Sequence, residues 1–355
     1  MCDGGSASPS AAGAGLIVPV DLGAYTGERI PLEPVERVTI TTIVDNVCDM
    51  LAGDTGPAHR RPLARWPWRE APTTLDGRVP DGPRAEHGFS ALVEVTRAGG
   101  SVHRLLFDTG VTPDGMVDNM RRMDIAPGDI EVVVCSHGHF DHTTGLDGFS
   151  RAVGRANLPV VIHPLFWSKR RIALPGREPW ELPTTSRKAL EQAGFDIVEA
   201  EQPSFLFEGS LLVTGEVART TDFETGMAPH QAFRDGTWEP DPLILDDQAV
   251  VMHVRGRGLV VLTGCGHAGV VNLTRYARHL TGVEAVHAVM GGFHLTGPGF
   301  EPIIPATVEA LADLAPDVVV PAHCTGWKAA TAFAARLPEA FIQNTVGTTF
   351  DLVAA

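Results

Sequence analysis

Short apolar runs in this 355-residue chain end, repeatedly, in turns that carry His or Asp. Leu105-Leu106-Phe107 runs into Asp108-Thr109-Gly110, Val132-Val133-Val134 into a histidine cluster, and Val160-Val161-Ile162 into His163. Later, Gly258 to Leu262 runs into Thr263-Gly264-Cys265-Gly266-His267, Val286 to Met290 into Gly291-Gly292-Phe293-His294, and Val318-Val319-Val320 into Pro321-Ala322-His323. Continuous apolar runs of this kind are strands buried on both faces or against helices. In layered α/β proteins ligands gather beyond the carboxyl ends of strands. The repetition therefore predicts a layered fold in which several strand ends share one chemically active rim.

The rest of the chain fits that frame. Val38 to Val44, leading into Asp45-Asn46, and Phe89 to Val95 read as further strands, and Ala249 to Val254 pairs with Gly258 to Leu262 as a hairpin across Arg255-Gly256-Arg257. Helices are predicted over 270–280, 305–314 and 328–337. The Pro-, Arg- and Trp-rich stretch 54–88 reads as a long loop. The Pro-rich stretch 163–240 reads as irregular, with one helix at 185–193. Loops this long in a compact domain are usually lids or substrate walls. Residues 1–36, which begin Ala/Gly/Ser-rich, are expected to form a flexible extension, leaving 37–355 as one domain.

The densest chemistry lies in Ser136-His137-Gly138-His139-Phe140-Asp141-His142, which sets three imidazoles and a carboxylate into six residues. Imidazole and carboxylate suit borderline divalent cations such as zinc. With four N/O donors and no nearby Cys pair, an open, hydrolytic, dinuclear site is expected rather than a closed structural one. His137 and His139, two apart on an extended loop, can face one ion. Asp141 and His142, at the start of a helix, can face a second.

Composition narrows the partners. The net charge of −15 disfavours a nucleic-acid surface. No apolar run approaches a membrane span, and the N-terminus lacks the basic start and long apolar core of a secretory signal. The five cysteines are odd in number and form no C-x-x-C pair, so a reducing cytoplasm is expected. The chain has no phosphate-binding P-loop and no Gly-x-Ser-x-Gly, and no Gly-x-Gly-x-x-Gly falls in a strand–turn–helix setting.

The pattern His-x-His-x-Asp-His after an apolar strand resembles the signature of the metallo-β-lactamase fold superfamily, as do Phe107-Asp108-Thr109-Gly110 upstream and the late His323. Within it, the chain is most similar to metal-dependent hydrolases related to the dihydropterin-ribofuranosylaminobenzene-phosphate synthase of methanopterin biosynthesis. Glu86-His87-Gly88-Phe89-Ser90, Thr214-Gly215-Glu216, Thr221-Asp222-Phe223-Glu224, Asp246-Asp247-Gln248-Ala249, Gly264-Cys265-Gly266-His267, Gly291-Gly292-Phe293-His294 and His323-Cys324-Thr325-Gly326 carry that similarity.

The resemblance implies a four-layer αββα sandwich with the metal site along one edge. It places His323 with Asp141 and His142, and His267 is the choice for the remaining ligand. Glu216 or Cys265 stands where many members have another ligand; Cys265 is equally readable as a small buried residue in a tight turn. Asp108 is expected to orient a metal-binding His. His294 is a candidate general acid beside Asp141, while Arg219 and Glu224 are candidates to hold a small, anionic substrate. His59, His103, His230, His253, His279 and His287 read as structural or solvated.

The expected activity is hydrolysis of an ester, amide or phosphoester-like centre by a hydroxide bridging two zinc ions, with manganese or iron as alternatives. Two competing readings are a pterin-type transferase, in which a pyrophosphate leaves and an aromatic carbon attacks, and a di-iron redox protein. The former rests on family likeness alone.

Overall fold

The protein, described by a computed structural model over residues 18–19 and 29–355, packs two large β-sheets face to face with helices on both outer surfaces. This is the expected αββα sandwich. The first sheet has eight strands in the order 195–199, 158–162, 132–134, 102–107, 90–96, 37–44, 348–353 and 58–60. The second has seven, in the order 18–19, 204–206, 211–213, 249–254, 258–263, 286–292 and 318–322.

Four apolar clusters correspond to the layers. One lies between the sheets and joins inward residues of both, such as Val38, Val93, Leu105 and Val134 with Val250, Val260 and Met290. A second packs helices α1 (Gly115–Arg122) and α3 (Leu146–Ala152) on the eight-stranded sheet through Met116, Met120, Leu146 and Phe149. On the other outer face, α5 (Val270–Thr281), α6 (Ile304–Asp313) and α7 (Trp327–Arg336) cover the seven-stranded sheet through Leu273, Leu311 and Phe333. Strands buried on both faces carry no polar alternation, which is why they read as continuous Val/Leu runs.

Strand direction positions the site. In the first sheet 102–107, 132–134, 158–162 and 195–199 run parallel, and in the second so do 258–263, 286–292 and 318–322. Their carboxyl ends deliver Asp108, the His137–His142 loop, His267, His294 and His323 to a common rim. The hairpin of 249–254 with 258–263 is antiparallel as expected.

Two expectations need correction. Segment 163–240 is far from irregular. It contributes three strands to the large sheets and builds a separate four-stranded sheet from 170–172, 180–181, 230–234 and 237–240, besides a helix at Arg187–Gln192, α4 here. Those strands are only two to five residues long, so they carry little of the periodicity that marks a longer core strand. Residues 30–35, placed in the flexible extension, are packed: Ile30, Leu32 and Val35 are buried, and the Ile30 amide donates to the Leu280 carbonyl at 2.6 Å. Residues 1–17 and 20–28 of that extension lie outside the described residues. Segment 54–88 is mostly loop, with short strands at 58–60, 68–70 and 78–80.

Candidate metal centre

The loop after strand 132–134 turns at Gly138 and enters a one-turn helix, α2 (Phe140–Thr143). A side chain at 138 would bring its Cβ to 2.1 Å from the Phe166 carbonyl oxygen, so glycine is required for the loop to lie this close to the next strand's turn. The second sheet grips the loop from the other side. The Gly138 amide donates to Asp246 at 2.8 Å, the Gln248 amide to the Ser136 carbonyl at 3.0 Å, and the Gln248 side chain to the Cys135 carbonyl at 2.9 Å. Asp246 is itself ion-paired with Arg170, and both side chains are buried.

Five imidazoles converge: His137, His139, His142, His267 and His323 are all buried. Fixed acceptors set the tautomers of four. The Asp108 carboxylate accepts from the Ser136 amide and hydroxyl, each at 2.7 Å, and from His142 Nδ1 at 2.7 Å. Having given its only proton to Asp108, the Ser136 hydroxyl accepts from His137 Nδ1 at 2.9 Å. The Asp241 carbonyl accepts from His230 Nδ1 at 2.9 Å, which leaves His230 Nε2 to accept from His139 Nε2–H, also at 2.9 Å. Asn46 donates to the His323 carbonyl at 3.1 Å, and its side-chain oxygen accepts from His323 Nδ1 at 3.1 Å.

The inward nitrogens are what remain. His137 Nε2 and His139 Nδ1 face each other at 2.9 Å, both as lone pairs in this tautomer set. The Nε2 atoms of His142, His267 and His323 are buried without a hydrogen-bond partner, as is Asp247 Oδ1. Buried polar atoms are seldom left so. The clustered imidazole nitrogens are the arrangement that a divalent cation satisfies, with His137, His139, His142 and His323 each held through the other ring nitrogen. The donors divide into sets. His137, His139 and His267 bring one atom each within 4.8 Å of one another. Asp141 Oδ2 lies 3.3 Å from His323 Nε2, 3.5 Å from His87 Nε2 and 3.8 Å from His142 Nε2. The residues present therefore fit one cation on each set.

Electrostatics agree for the three-histidine set, whereas His142, without a cation beside it, favours the protonated form. Burial pushes the pKa values of His137, His139 and His267 well below the usual imidazole range, so these three are neutral donors. Burial opposes charge on His142 too, but the Asp108 and Asp141 carboxylates lift it to about 9. For Asp141 burial is outweighed by His142, His323 and His87, which hold it well below the usual carboxylate range. Burial raises Asp247 to about 7. Its Oδ2 accepts from the Ala268 amide at 2.8 Å, and its Oδ1 stands 4.0 Å from His137 Nδ1.

The structure thus brings His137, His139, Asp141, His142, His267 and His323 together, with Asp108 behind His142 and His137. His294 lies against His267, with ring centroids 4.3 Å apart and the planes tilted by 45°. Cys265 Sγ lies 3.5 Å from His294 Nδ1 and 3.2 Å from Cys324 Sγ, within reach of His137 and His142, so it remains among the metal-capable donors. Three expected residues are placed otherwise. Glu216 joins none of the metal-capable groups among the described residues. Arg219 turns to backbone, donating to the carbonyls of His267, at 2.9 Å, and Leu243. Glu224 caps α5, accepting from the Val271 and Asn272 amides at 2.9 Å each. Neither Arg219 nor Glu224 lines the cavity over the histidines.

Two residues with a part in the site were given none from sequence. His230, read as structural or solvated, is the hydrogen-bond partner of His139. Asp247, quoted only within a motif, faces His137. The doubled acid Asp246-Asp247 just before a buried strand was the available signal, since two adjacent buried carboxylates demand partners.

Comparison with known proteins accords with this geometry. The model of the metallo-beta-lactamase superfamily matches residues 83–323. A Methanocaldococcus jannaschii protein named 7,8-dihydropterin-6-methyl-4-(beta-D-ribofuranosyl)-aminobenzene-5'-phosphate synthase is 30% identical over 265 residues, covering 72% of this chain and 87% of that protein. An uncharacterised protein of the same organism is 28% identical over 255 residues, 70% of this chain and 87% of its own length. Among solved structures, one described as a metal-dependent hydrolase of the beta-lactamase superfamily superposes with a TM-score of 0.67 at 22% identity, over 89% of this chain and 99% of that one.

Proposed function

Because the chain belongs to the metallo-beta-lactamase superfamily, we propose that it is a metal-dependent hydrolase of a small ester, amide or phosphoester-like substrate, with zinc as its metal. The observation that carries this reading is the pair of buried, partnerless imidazole nitrogens on His267 and His323, both lining an open cavity, with the partnerless His142 Nε2 3.8 Å from the cavity-lining Asp141. Hydrolysis needs such an open position; a structural metal site would be closed by its ligands.

His137, His139 and His267 would hold one ion, and Asp141, His142 and His323 a second. Such a pair supplies Lewis acidity toward the scissile carbonyl or phosphoryl group. The chain's own groups do the rest. Asp141, ionised across the neutral range, accepts a hydrogen bond from an attacking water and orients it. Asp108 holds His142 and, through Ser136, His137. His294, exposed to the cavity beside His267, is placed to give a proton to the leaving group. Among the described residues no helix is long and apolar enough to cross a membrane.

The 30% identity to a named synthase supports a second reading, a transferase acting on a pterin-type pyrophosphate. A panel of one ester, one lactone and one phosphodiester, offered to zinc-loaded protein and to His139→Ala and His323→Ala, tests the first. Turnover of at least one by the wild type alone is expected. No turnover of any of the three removes the hydrolase reading.

A further inference from the structure

The cavity above the histidines is larger and more apolar than a minimal hydrolytic site requires. It encloses about 900 Å3, near the upper end of the roughly 300–1,000 Å3 typical of small-molecule sites. Beyond the imidazoles its lining includes Phe140, Ile172, Trp180, Leu182, Met227 and Trp327. These come from α2, the small four-stranded sheet and its connections, and the first turn of α7. Trp180 and Trp327 are 57% and 72% exposed. Two indoles left open to solvent on the wall of one cavity are unusual unless a ligand covers them. Trp180 is already engaged edge-to-face with Phe140, ring centroids 5.9 Å apart, and both line the cavity.

Charge points the same way. Among the described residues Lys328 is the one Lys or Arg in the lining, and it is ion-paired with Glu301. The carboxylates of Asp45, Asp141 and Glu301 also line the cavity. Arg219, the guanidinium expected to greet an anion, is committed to backbone carbonyls. Away from the histidine cluster, a pyrophosphate or a sugar phosphate would meet no free cationic side chain, whereas an uncharged aryl group would meet apolar walls.

Resting on the hydrolase reading, we propose that the substrate carries a bulky, uncharged aromatic body. Its scissile group meets the histidine cluster and its aryl part lies against Trp180 and Trp327. This sets the site apart from one built for a polyanion.

Two arms on the zinc-loaded full chain test the proposal. In turnover, p-nitrophenyl naphthylpropanoate should exceed p-nitrophenyl acetate in kcat/KM by about tenfold or more, because apolar groups in a fitting pocket discriminate on that scale. Trp327→Ala and Trp180→Ala should lower that ratio several-fold. In binding, followed by calorimetry, naphthohydroxamate should bind about tenfold more tightly than acetohydroxamate, which has the same metal-seeking head without the body. A carboxylated naphthohydroxamate should bind more weakly than the uncharged one. If no ester is turned over but the binding preference holds and falls in Trp327→Ala, the hydrolase reading fails and the aromatic cavity stands. Equal affinities of the two hydroxamates, preferences untouched by either Trp variant, or tighter binding of the carboxylated compound would overturn the proposal.

Discussion

His230 Nε2 stands 2.9 Å from His139 Nε2, so an imidazole from the small four-stranded sheet fixes the ring of a histidine on the central loop. Its own Nδ1–H is anchored on the Asp241 carbonyl, which leaves Nε2 only the role of acceptor. His230→Ala is expected to weaken zinc retention by about 10- to 100-fold, the usual effect of removing a partner that orients a ligand. His230→Gln, which keeps an acceptor, should restore part of it. Competition with a chromogenic chelator measures this directly. Unchanged retention in His230→Ala would show that the bond does not orient His139.

The Arg170–Asp246 pair joins the small sheet to the histidine loop, with both side chains buried. Breaking a buried pair from one side costs about 3–5 kcal/mol, since the other charge stays buried. Asp246→Ala should fall toward the lower end of that range, because Asp241 stands 3.5 Å from Arg170 Nε and compensates in part. Urea unfolding monitored by tryptophan fluorescence reads the loss. A change below about 1 kcal/mol would place Asp246 among ordinary surface acids.

Gly138 offers a sharper steric test. Gly138→Ala drives a Cβ to 2.1 Å from a backbone oxygen, which cannot swing aside as a side chain can. Overpacking of this kind costs about 1–3 kcal/mol, and here it displaces His137 and His139. The variant is expected to unfold earlier and to hold less zinc. A variant matching the wild type in both would show that the loop has room.

Acid stability should carry the mark of Asp241. Burial resists its ionisation, but His230, Arg234 and Arg170 bring its pKa down from 3.8 to about 2. A depressed carboxyl contributes stability that is full above its unfolded value and lost as pH falls through its folded one. The difference of nearly two units corresponds to about 2 kcal/mol. Asp241→Asn should therefore be less stable than wild type by about 2 kcal/mol at neutral pH. That gap should close between about pH 4 and pH 2. A gap that persists at the acid end would assign the stabilisation to shape rather than charge.

Much of the fold was legible because core strands here are uninterrupted Val and Leu runs. Val132–Val134 and Ala249–Val254 fall where expected, and α5, α6 and α7 begin and end within a residue of their predicted spans. The metal-capable residues were legible because they sit at the ends of those runs. Three features were not. His230 follows no apolar run and reaches the site only through strand pairing of 170–172 with 230–234. Arg219 and Glu224 carry charges that suit an anionic substrate on paper, yet both are spent on backbone. Glu224 is drawn in because the residue at the N-cap of α5 is Gly269, which has no side chain to cap the helix, and a Cβ there would lie 2.2 Å from the Glu224 carboxyl carbon. A helix that opens on glycine needs a cap from elsewhere, and that requirement could have been read in advance.

Metal stoichiometry tests the central claim most directly. Purified chain loaded with zinc and freed of excess should hold about two ions, measured by elemental analysis against protein concentration. His137→Ala and His323→Ala should each hold fewer, one losing from the three-histidine set and the other from the set around Asp141. Wild-type protein that retains no zinc, manganese or iron under these conditions would contradict the account.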